Sequence, residues 1–312
     1  MIEYLKAENG KIRQLERAEP GCWINMVAPT RDELEDVIES HGLDTGFVSA
    51  ALDPEESSRV EVEDDQVLLI VDIPVEEESD SIARDVQMYA TLPMGIVVAE
   101  DVIVTVCLVD TSITRDLATG KVRGIVNTNM RTRFVFLLLL RVAGRFLNYL
   151  RRIERSFNEI ERKLYDSLRN DELMQLLGLQ KSLVYFSASL KGNEVTMEKV
   201  LRGRILKLYE DDRDLLEDAL IEIRQAIEMS SIYSSLLAGT METYSSVVSN
   251  NMNDIMKVLT VVTLIMTIPN MVFGFYGMNV THLPFAVSYA PLIISVVACI
   301  ICWLILKKKK LY

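Results

Sequence analysis

Hydrophobic residues follow three different patterns along the chain, and each pattern predicts a different kind of element. In residues 1–127 they form short β-branched runs, which predict strands. From residue 129 onward they recur every three or four positions, which predicts long helices. From 258 to 306 they are nearly continuous, and these 49 residues contain no Asp, Glu, Lys or Arg. The chain is therefore predicted to be an α+β protein whose last part is a membrane hairpin.

Residues 1–127 are predicted to form a mixed α/β domain. Thr30 and Glu33 have the spacing of a capping box, so a helix is expected to begin after Thr30 and to end near Ser40. Pro93 is expected to separate two strands, because proline lacks the N–H that a sheet ladder needs. The expected strands of the sheet are 23–26, 67–73, 86–92, 95–99 and 102–108.

Residues 128–207 are predicted to form a helical hairpin. The run 134–140 is strongly apolar, but it has only seven residues and is flanked by arginines, so we assign it to the protein core and not to a membrane span. The first helix is expected to reach about residue 168. The second is expected over 171–190, with a break at Lys191-Gly192-Asn193.

A last helix is expected to begin between residues 196 and 208 and to reach Gly274 without interruption. At 1.5 Å per residue, the stretch from 208 to 274 corresponds to roughly 100 Å of helix. Its first part, 208–257, is predicted to be a cytoplasmic stalk, and the remainder is predicted to enter the membrane.

The charge-free run is long enough for two membrane spans of about 20 residues each. We assign the spans to 258–278 and 285–306, joined by the short connection 279–284, within a transmembrane domain over 258–306. A buried hairpin inside a large soluble core is the alternative, and the lysines that end the run so sharply disfavour it.

Both flanks of the hairpin are basic, which predicts their side of the membrane. The flanking residues are Lys257, Lys307, Lys308, Lys309 and Lys310, the last four opening a basic tail over 307–312. By the positive-inside rule this side is the cytoplasm, so both termini are expected there. The sequence thus predicts a multi-pass protein of the cell membrane with a basic ring at its cytoplasmic mouth.

Composition excludes several classes of function. The chain has 33 Lys+Arg and 45 Asp+Glu, a net charge of −12, which disfavours nucleic acid as a partner. A positive mean hydropathy of +0.19 excludes a disordered chain. Four scattered cysteines argue against a disulfide-stapled secreted domain, and no cleaved signal peptide is expected. With two histidines and no phosphate loop, nucleophile elbow or metal cluster, no enzymatic activity is expected.

Charge is also divided between the predicted helices. Residues 129–163 carry a net charge of +6, from nine basic and three acidic residues, and residues 208–256 carry −8, from ten acidic and two basic residues. Two interpretations stay open. The helices pair by charge or face solvent, or some of the carboxylates bind a divalent cation.

A polar stripe follows one face of the last helix. Steps of three and four residues give Asn253, Met256, Thr260, Thr263, Thr267, Asn270 and Gly274. Such a stripe within a span should face protein or water and not lipid. Isolated Thr and Asn residues often only join helices, but so many in-phase positions favour a water-filled pore. One two-span chain cannot enclose a pore, so a homo-oligomer with the first span inside is predicted, with Met256 and Leu259 as a hydrophobic gate.

The end of the first span carries the sequence Tyr276-Gly277-Met278-Asn279, after a long acidic helix. Met256-Lys257-Val258-Leu259-Thr260, Pro269 and the lysine tail accompany it, and Trp23 with the segment 29–34 lies in the first domain. Together these features resemble the CorA family of magnesium transporters over essentially the whole chain.

The resemblance implies a funnel-shaped homopentamer for uptake of hydrated Mg²⁺, driven by the membrane potential and gated by cytosolic Mg²⁺. It implies a selectivity filter at Tyr276, Gly277, Met278 and Asn279. It implies a pore lined by Asn253, Met256, Leu259, Thr263, Thr267, Asn270, Gly274 and Asn279, and the polar stripe adds Thr260 to this lining. A regulatory metal site is implied at Asp218 and Glu242, with Asp85 and Asp101 as candidate partners.

Two departures from the family pattern bear on selectivity. Asn270 stands after Pro269 where many members have Thr, and the connection 279–284 has no acidic residue. Met278 is intact, which favours Mg²⁺ over Zn²⁺. A transporter of the same fold for Zn²⁺, Co²⁺ or Ni²⁺ remains the alternative, and a membrane-tethered sensor without flux is a third hypothesis.

Overall fold

A computed structural model describes residues 1–8, 11–77, 88–121, 126–166, 170–203, 205–206, 209–278, 287 and 289–308. The chain forms two compact units, Met1–Thr240 and Met241–Tyr312. The strands are β1 (Ile2–Glu8), β2 (Lys11–Leu15), β3 (Cys22–Val27), β4 (Arg59–Glu63), β5 (Gln66–Glu77), β6 (Met88–Val98) and β7 (Val102–Cys107). The helices are α1 (Arg31–His41), α2 (Thr45–Ala50), α3 (Ser112–Ala118), α4 (Arg131–Asp166), α5 (Asn170–Gly203), α6 (Glu210–Tyr276) and α7 (Ala290–Lys308).

The first unit is built on one seven-stranded sheet in the order β2-β1-β3-β7-β6-β5-β4. β3 and β7 run parallel at its centre, and the other neighbouring strands are antiparallel. Every residue of β3 and β7 is buried, which explains why both strands are almost entirely apolar. Their two polar residues, Asn25 and Thr105, hydrogen bond to each other. Helices α1 and α2 cover one face of the sheet, and α4 and α5 contact the other.

The capping box at Thr30 is confirmed. The N–H of Glu33 donates to Thr30 Oγ1 at 3.3 Å, and the N–H of Thr30 donates to Glu33 Oε2 at 2.9 Å. These bonds satisfy N–H groups that have no partner within the helix. The helix ends at His41, one residue past the expected end, because Gly42 adopts a left-handed conformation with φ of 60°.

The expectation that Pro93 separates two strands is wrong, because β6 runs through it from Met88 to Val98. Pro93 pairs with Asp72 of β5, and Asp72 directs both its N–H and its C=O to the side chain of Asn193. The two residues therefore form a non-hydrogen-bonded pair, in which the missing N–H of proline would point away from β5. On that side the pairing with β7 ends at Met94, so no ladder hydrogen bond is lost.

The expected break at residues 191–193 is also wrong, because α5 is continuous from Asn170 to Gly203. These residues dock the helix onto the edge of the sheet. Asn193 is fully buried and makes two 2.8 Å hydrogen bonds to the backbone of Asp72. It also accepts a hydrogen bond from Ser58 at 3.0 Å. A Cβ at Gly192 would lie 3.2 Å from Ser58 Oγ, so glycine permits this close approach.

Several elements of the first unit escaped the sequence analysis. The strands β2 and β4 lie at the two edges of the sheet and are rich in charged residues, which hide the apolar pattern of a strand. β1 and the short helices α2 and α3 were missed as well. The run 134–140 was placed correctly: Phe134, Phe136 and Leu138 are fully buried in α4.

The last helix, α6, is continuous over 67 residues, as expected. It begins at Glu210, two residues beyond the expected range, and residue 196 lies inside α5. Together with α7 it is long and apolar enough to cross a membrane, and these are the two such helices in the described part of the chain. The predicted connection 279–284 lies outside the described residues.

Candidate functional site

The polar stripe and the residues that the second membrane helix shields lie on well-separated faces of α6. Asn253, Met256, Thr260, Thr263, Thr267, Asn270 and Gly274 are all exposed. The face that α7 shields is marked by reduced exposure, at Val261, Ile265, Ile268 and Val272. At 100° per residue, the centres of the two sets are roughly 140° apart around the helix. The stripe is therefore left open by the hairpin that carries it.

The threonines of the stripe are oriented by the backbone of their own helix. The hydroxyls of Thr260, Thr263 and Thr267 donate to the carbonyls of Met256, Leu259 and Thr263 at 2.7, 2.8 and 2.7 Å. Each hydroxyl proton is thus engaged, while the oxygen keeps a lone pair free to accept a hydrogen bond. The exposed hydroxyl oxygens therefore present acceptors, the groups that the water shell of a cation requires.

Pro269 lies inside α6, where it cannot donate to the carbonyl of Ile265. The thiol of Cys299 on α7 lies 3.6 Å from that carbonyl oxygen and donates to it. A neighbouring membrane helix thus satisfies the backbone group that proline leaves free, as the absence of water in a bilayer demands. Because Cys299 and Ile265 are 34 positions apart, local sequence patterns do not reveal this contact.

At the N-terminal end of the stripe, the candidate gate residues Met256 and Leu259 are 52% and 56% exposed. Lys257 pairs with Asp254 one turn earlier at 2.8 Å. At the other end, the N–H of Gly277 donates to the carbonyl of Phe273 at 2.8 Å, and a Cβ there would lie 3.1 Å from that oxygen. The backbone just after α6 therefore leaves little room for a side chain at position 277.

Some of the remaining predicted site residues lie in the described part of the chain, and others lie outside it. Tyr276 ends α6 with its ring 5.6 Å from that of Phe275, and Met278 is exposed. Lys307 and Lys308 are the last residues of α7. The predicted site residues that lie outside the described residues are Asn279, Lys309, Lys310 and Asp85.

In the part of α6 that precedes the stripe, Asp218 and Glu242 are both exposed. In the described part of the chain, no group of three or more His, Cys, Asp or Glu side chains is arranged to hold a metal ion. Asp101, the other candidate partner, lies exposed in the turn between β6 and β7.

Two other carboxylates of α6, Asp212 and Glu222, lie near arginines of the basic helix α4. Asp212, which is buried, forms an ion pair with Arg133 at 3.4 Å. Burial raises the pKa of Glu222, and the nearby charge of Asp218 raises it further, against the opposing effect of Arg141 and Arg151. Pairing by charge, one of the two open interpretations, therefore holds for Asp212.

The sequence profile of the family described as "CorA-like Mg²⁺ transporter protein" matches residues 19–308. The chain belongs to this CorA family. It is accordingly a membrane protein with two C-terminal transmembrane helices, a member of a divalent-cation transporter family and not an enzyme.

Two CorA proteins of known sequence show the extent of the similarity. The cobalt/magnesium transport protein CorA of Methanocaldococcus jannaschii is 29% identical over 273 residues, covering 85% of this chain and 81% of that protein. The cobalt/magnesium transport protein CorA of Thermotoga maritima is 31% identical over 119 residues, covering 34% and 33%.

Solved structures confirm the fold class. The complete CorA magnesium transporter of M. jannaschii superposes with a TM-score of 0.80 at 24% identity, covering 98% of this chain and 95% of that one. The full-length CmaX protein has a TM-score of 0.73 at 16% identity, covering 99% and 97%. An N-terminal α/β domain, a long helix and two apolar C-terminal helices are thus shared CorA architecture.

Proposed function

We propose that this chain assembles into a homopentamer in the cell membrane and conducts hydrated Mg²⁺ into the cytoplasm along the stripe of α6. The observation that carries the proposal is the stripe itself, on the face of α6 that α7 leaves open, in a chain of the CorA family. With five copies, α6 would line the axis and α7 would face lipid. Both termini would lie in the cytoplasm, next to a basic ring of Lys257 and Lys307 to Lys310.

The stripe suits a hydrated cation better than a bare one. Mg²⁺ loses water reluctantly, so a pore for it should bind the hydration shell. The water molecules of that shell point their hydrogens outward, and the engaged hydroxyls of Thr260, Thr263 and Thr267 offer them acceptor oxygens. Asn270 adds an amide oxygen to the same face. Neutral acceptors also release the ion more readily than a ring of carboxylates would.

The filter at the outer mouth is proposed to consist of Tyr276, Gly277, Met278 and Asn279. The membrane potential supplies about 2.3 kcal/mol per charge per 100 mV, so a dication gains about 4.6 kcal/mol. This corresponds to accumulation on the order of 2,000-fold, which requires no ATP.

Closure is proposed to occur at rings of Met256 and Leu259, where an apolar constriction excludes water. Mg²⁺ bound between copies at Asp218, with Glu242 nearer the mouth, would hold the stalk helices in the closed arrangement. The exposure of both carboxylates in the single chain is consistent with a role between copies.

Uptake of Mg²⁺ into liposomes tests the transport proposal. Wild-type protein should take up Mg²⁺, and Asn279→Ala should abolish uptake while the oligomer still assembles. Paired Thr263→Val and Thr267→Val substitutions should lower uptake about tenfold, the equivalent of roughly one hydrogen bond, and serine at both positions should preserve it. Normal flux in Asn279→Ala would contradict the proposed filter.

The regulatory proposal has its own test. Asp218→Lys should leave uptake active at internal Mg²⁺ concentrations that shut the wild-type pore, because a lysine cannot bind the cation. Asp214→Lys, at another exposed acidic residue of α6, is the matched control. Unchanged inhibition in Asp218→Lys would place the sensor elsewhere.

Co²⁺ is the second candidate substrate, because both curated relatives are cobalt/magnesium transport proteins. Competition by Co²⁺, Ni²⁺ and Zn²⁺ in the same assay ranks the ions. Strong inhibition by Zn²⁺ with weak inhibition by Co²⁺ would favour the zinc alternative.

A further inference from the structure

We propose that the cytoplasmic end of the hairpin binds an anionic phospholipid, and that the bound headgroup acts on the gate. The inference rests on the proposed pore, because the gate residue Met256 lines the cleft in question. This cleft, of about 580 Å³, lies between α6 and the end of α7. At this end of the hairpin the cleft extends from Leu306 of α7 to the edge of the polar stripe. Its walls are Asn250, Asn253, Asp254, Met256, Lys257, Thr260, Val261, Leu264 and Leu306.

The cleft has the chemistry of a lipid site at a membrane boundary. Val261, Leu264 and Leu306 form an apolar wall on the membrane side, where an acyl chain can lie. Asn250 and Lys257 supply polar donors on the cytoplasmic side. Because Leu306 and Lys257 line the same cleft, the two lysine-bearing ends of the hairpin lie at the same level.

Positive charge converges at the mouth of this cleft. Lys307 and Lys308 follow Leu306 directly and are exposed, and the ammonium group of Lys307 lies 5.0 Å from the ring of Trp303. An aromatic ring with a lysine above it is a typical arrangement at a membrane interface. Among the described residues here, Lys257, Lys307 and Lys308 outnumber the single carboxylate, Asp254.

Asp254 also lines the cleft and holds Lys257 at 2.8 Å, so it must be considered as a competitor for an anion. Both side chains are more than half exposed, at 70% and 54%. An exposed ion pair within one helix contributes little to stability, because water screens both charges. A lipid phosphate can therefore replace Asp254 as the ion-pair partner of Lys257. The released carboxylate of Asp254 would then lie beside Met256 and Asn253 at the inner mouth.

Native mass spectrometry of the full-length protein from mixed phosphatidylglycerol and phosphatidylcholine bilayers tests the site. Wild-type protein should retain phosphatidylglycerol selectively. At about 1 kcal/mol per lysine near an anionic surface, Lys307→Gln with Lys308→Gln should weaken this retention about 25-fold. Arginine at both positions should preserve it, and Lys191→Gln with Lys199→Gln, in α5, is the matched control.

Function supplies the second measurement. In liposomes, adding phosphatidylglycerol should shift the internal Mg²⁺ concentration that half-inhibits uptake, and Lys257→Gln should abolish that shift. Equal retention of the two lipids, or an unchanged ratio in the double glutamine variant, would overturn the site. If a second copy fills the cleft instead, Lys257→Gln will deplete the oligomer in the same spectra and leave lipid retention unchanged. Absence of uptake in wild-type protein would contradict the pore and leave lipid retention as the deciding measurement.

Discussion

Two apolar helical segments of similar composition end up in opposite surroundings. In α4 of the first unit, Phe136 is fully buried among protein atoms. In α7 of the second unit, Ile301 is 52% exposed in the isolated chain, and neighbouring leucines and isoleucines are exposed to a similar degree. The difference follows from length and charge: the α4 run has seven residues between arginines, whereas α7 lies in a charge-free stretch of 49. Apolar composition therefore indicates that a segment is removed from water. The length of the uncharged run indicates whether protein or lipid surrounds the segment.

The two units also accommodate a proline within a regular element in different ways. In the first unit, Pro93 occupies a sheet position that needs no N–H, and the buried amide of Asn193 serves both backbone groups of the opposite residue. In the second unit, Pro269 leaves the carbonyl of Ile265 free, and a thiol on the neighbouring helix reaches it at 3.6 Å. The sheet unit uses two short hydrogen bonds of 2.8 Å, and the membrane unit uses one weak donor.

The largest expected effect separates the two kinds of apolar surface. Phe136→Ala should lower the free energy of unfolding of the first unit by about 3–5 kcal/mol, because a fully buried ring leaves a cavity. Ile301→Ala should leave the unfolding of that unit unchanged. Trp23, whose ring lies 5.0 Å from Phe134, reports this transition by fluorescence in a Trp303→Phe background during urea titration in detergent. Similar losses of unfolding free energy in both variants would contradict the distinction between the two helices.

A smaller effect is expected where the helix α5 docks on the sheet. Asn193→Ala strips the N–H and C=O of Asp72 of their partners, and it should cost about 2 kcal/mol because Asp72 is only partly buried. Asn148→Ala, at an exposed asparagine of α4, is the matched control in the same titration. If the two alanine variants unfold together, Asn193 does not anchor the helix.

The smallest effect concerns the carbonyl next to Pro269. Cys299→Ala should destabilise the hairpin by about 0.6 kcal/mol, the average for a hydrogen bond between membrane helices, and Cys299→Ser should retain the bond. Infrared difference spectra detect the hydrogen bond of the Cys299 thiol directly, because hydrogen bonding lowers the S–H stretching frequency. The S–H band lost in Cys299→Ala should therefore lie at lower frequency than the band lost in Cys302→Ala. Identical band positions would show that the thiol of Cys299 makes no hydrogen bond.

The sequence by itself determined the features that depend on neighbouring residues. The capping box at Thr30 and Glu33, the uninterrupted α6 and the two apolar membrane helices all follow from local spacing or from run length. The family also followed from sequence, through the segment that ends in Asn279. The polar stripe was visible as a period of three and four residues, although its assignment to a pore remains a proposal.

Only the tertiary structure decided the features that join distant residues. Pro93 and Gly192 looked like breaks because proline and glycine usually end regular elements, yet Asn193 and Asp72, 121 positions apart, make both elements continuous. Cys299 and Ile265 are 34 positions apart, so their contact was equally invisible. That α7 covers a face of α6 well separated from the stripe also depends on packing between helices. Local spacing fixes which residues share a face, and only the folded chain shows what that face meets.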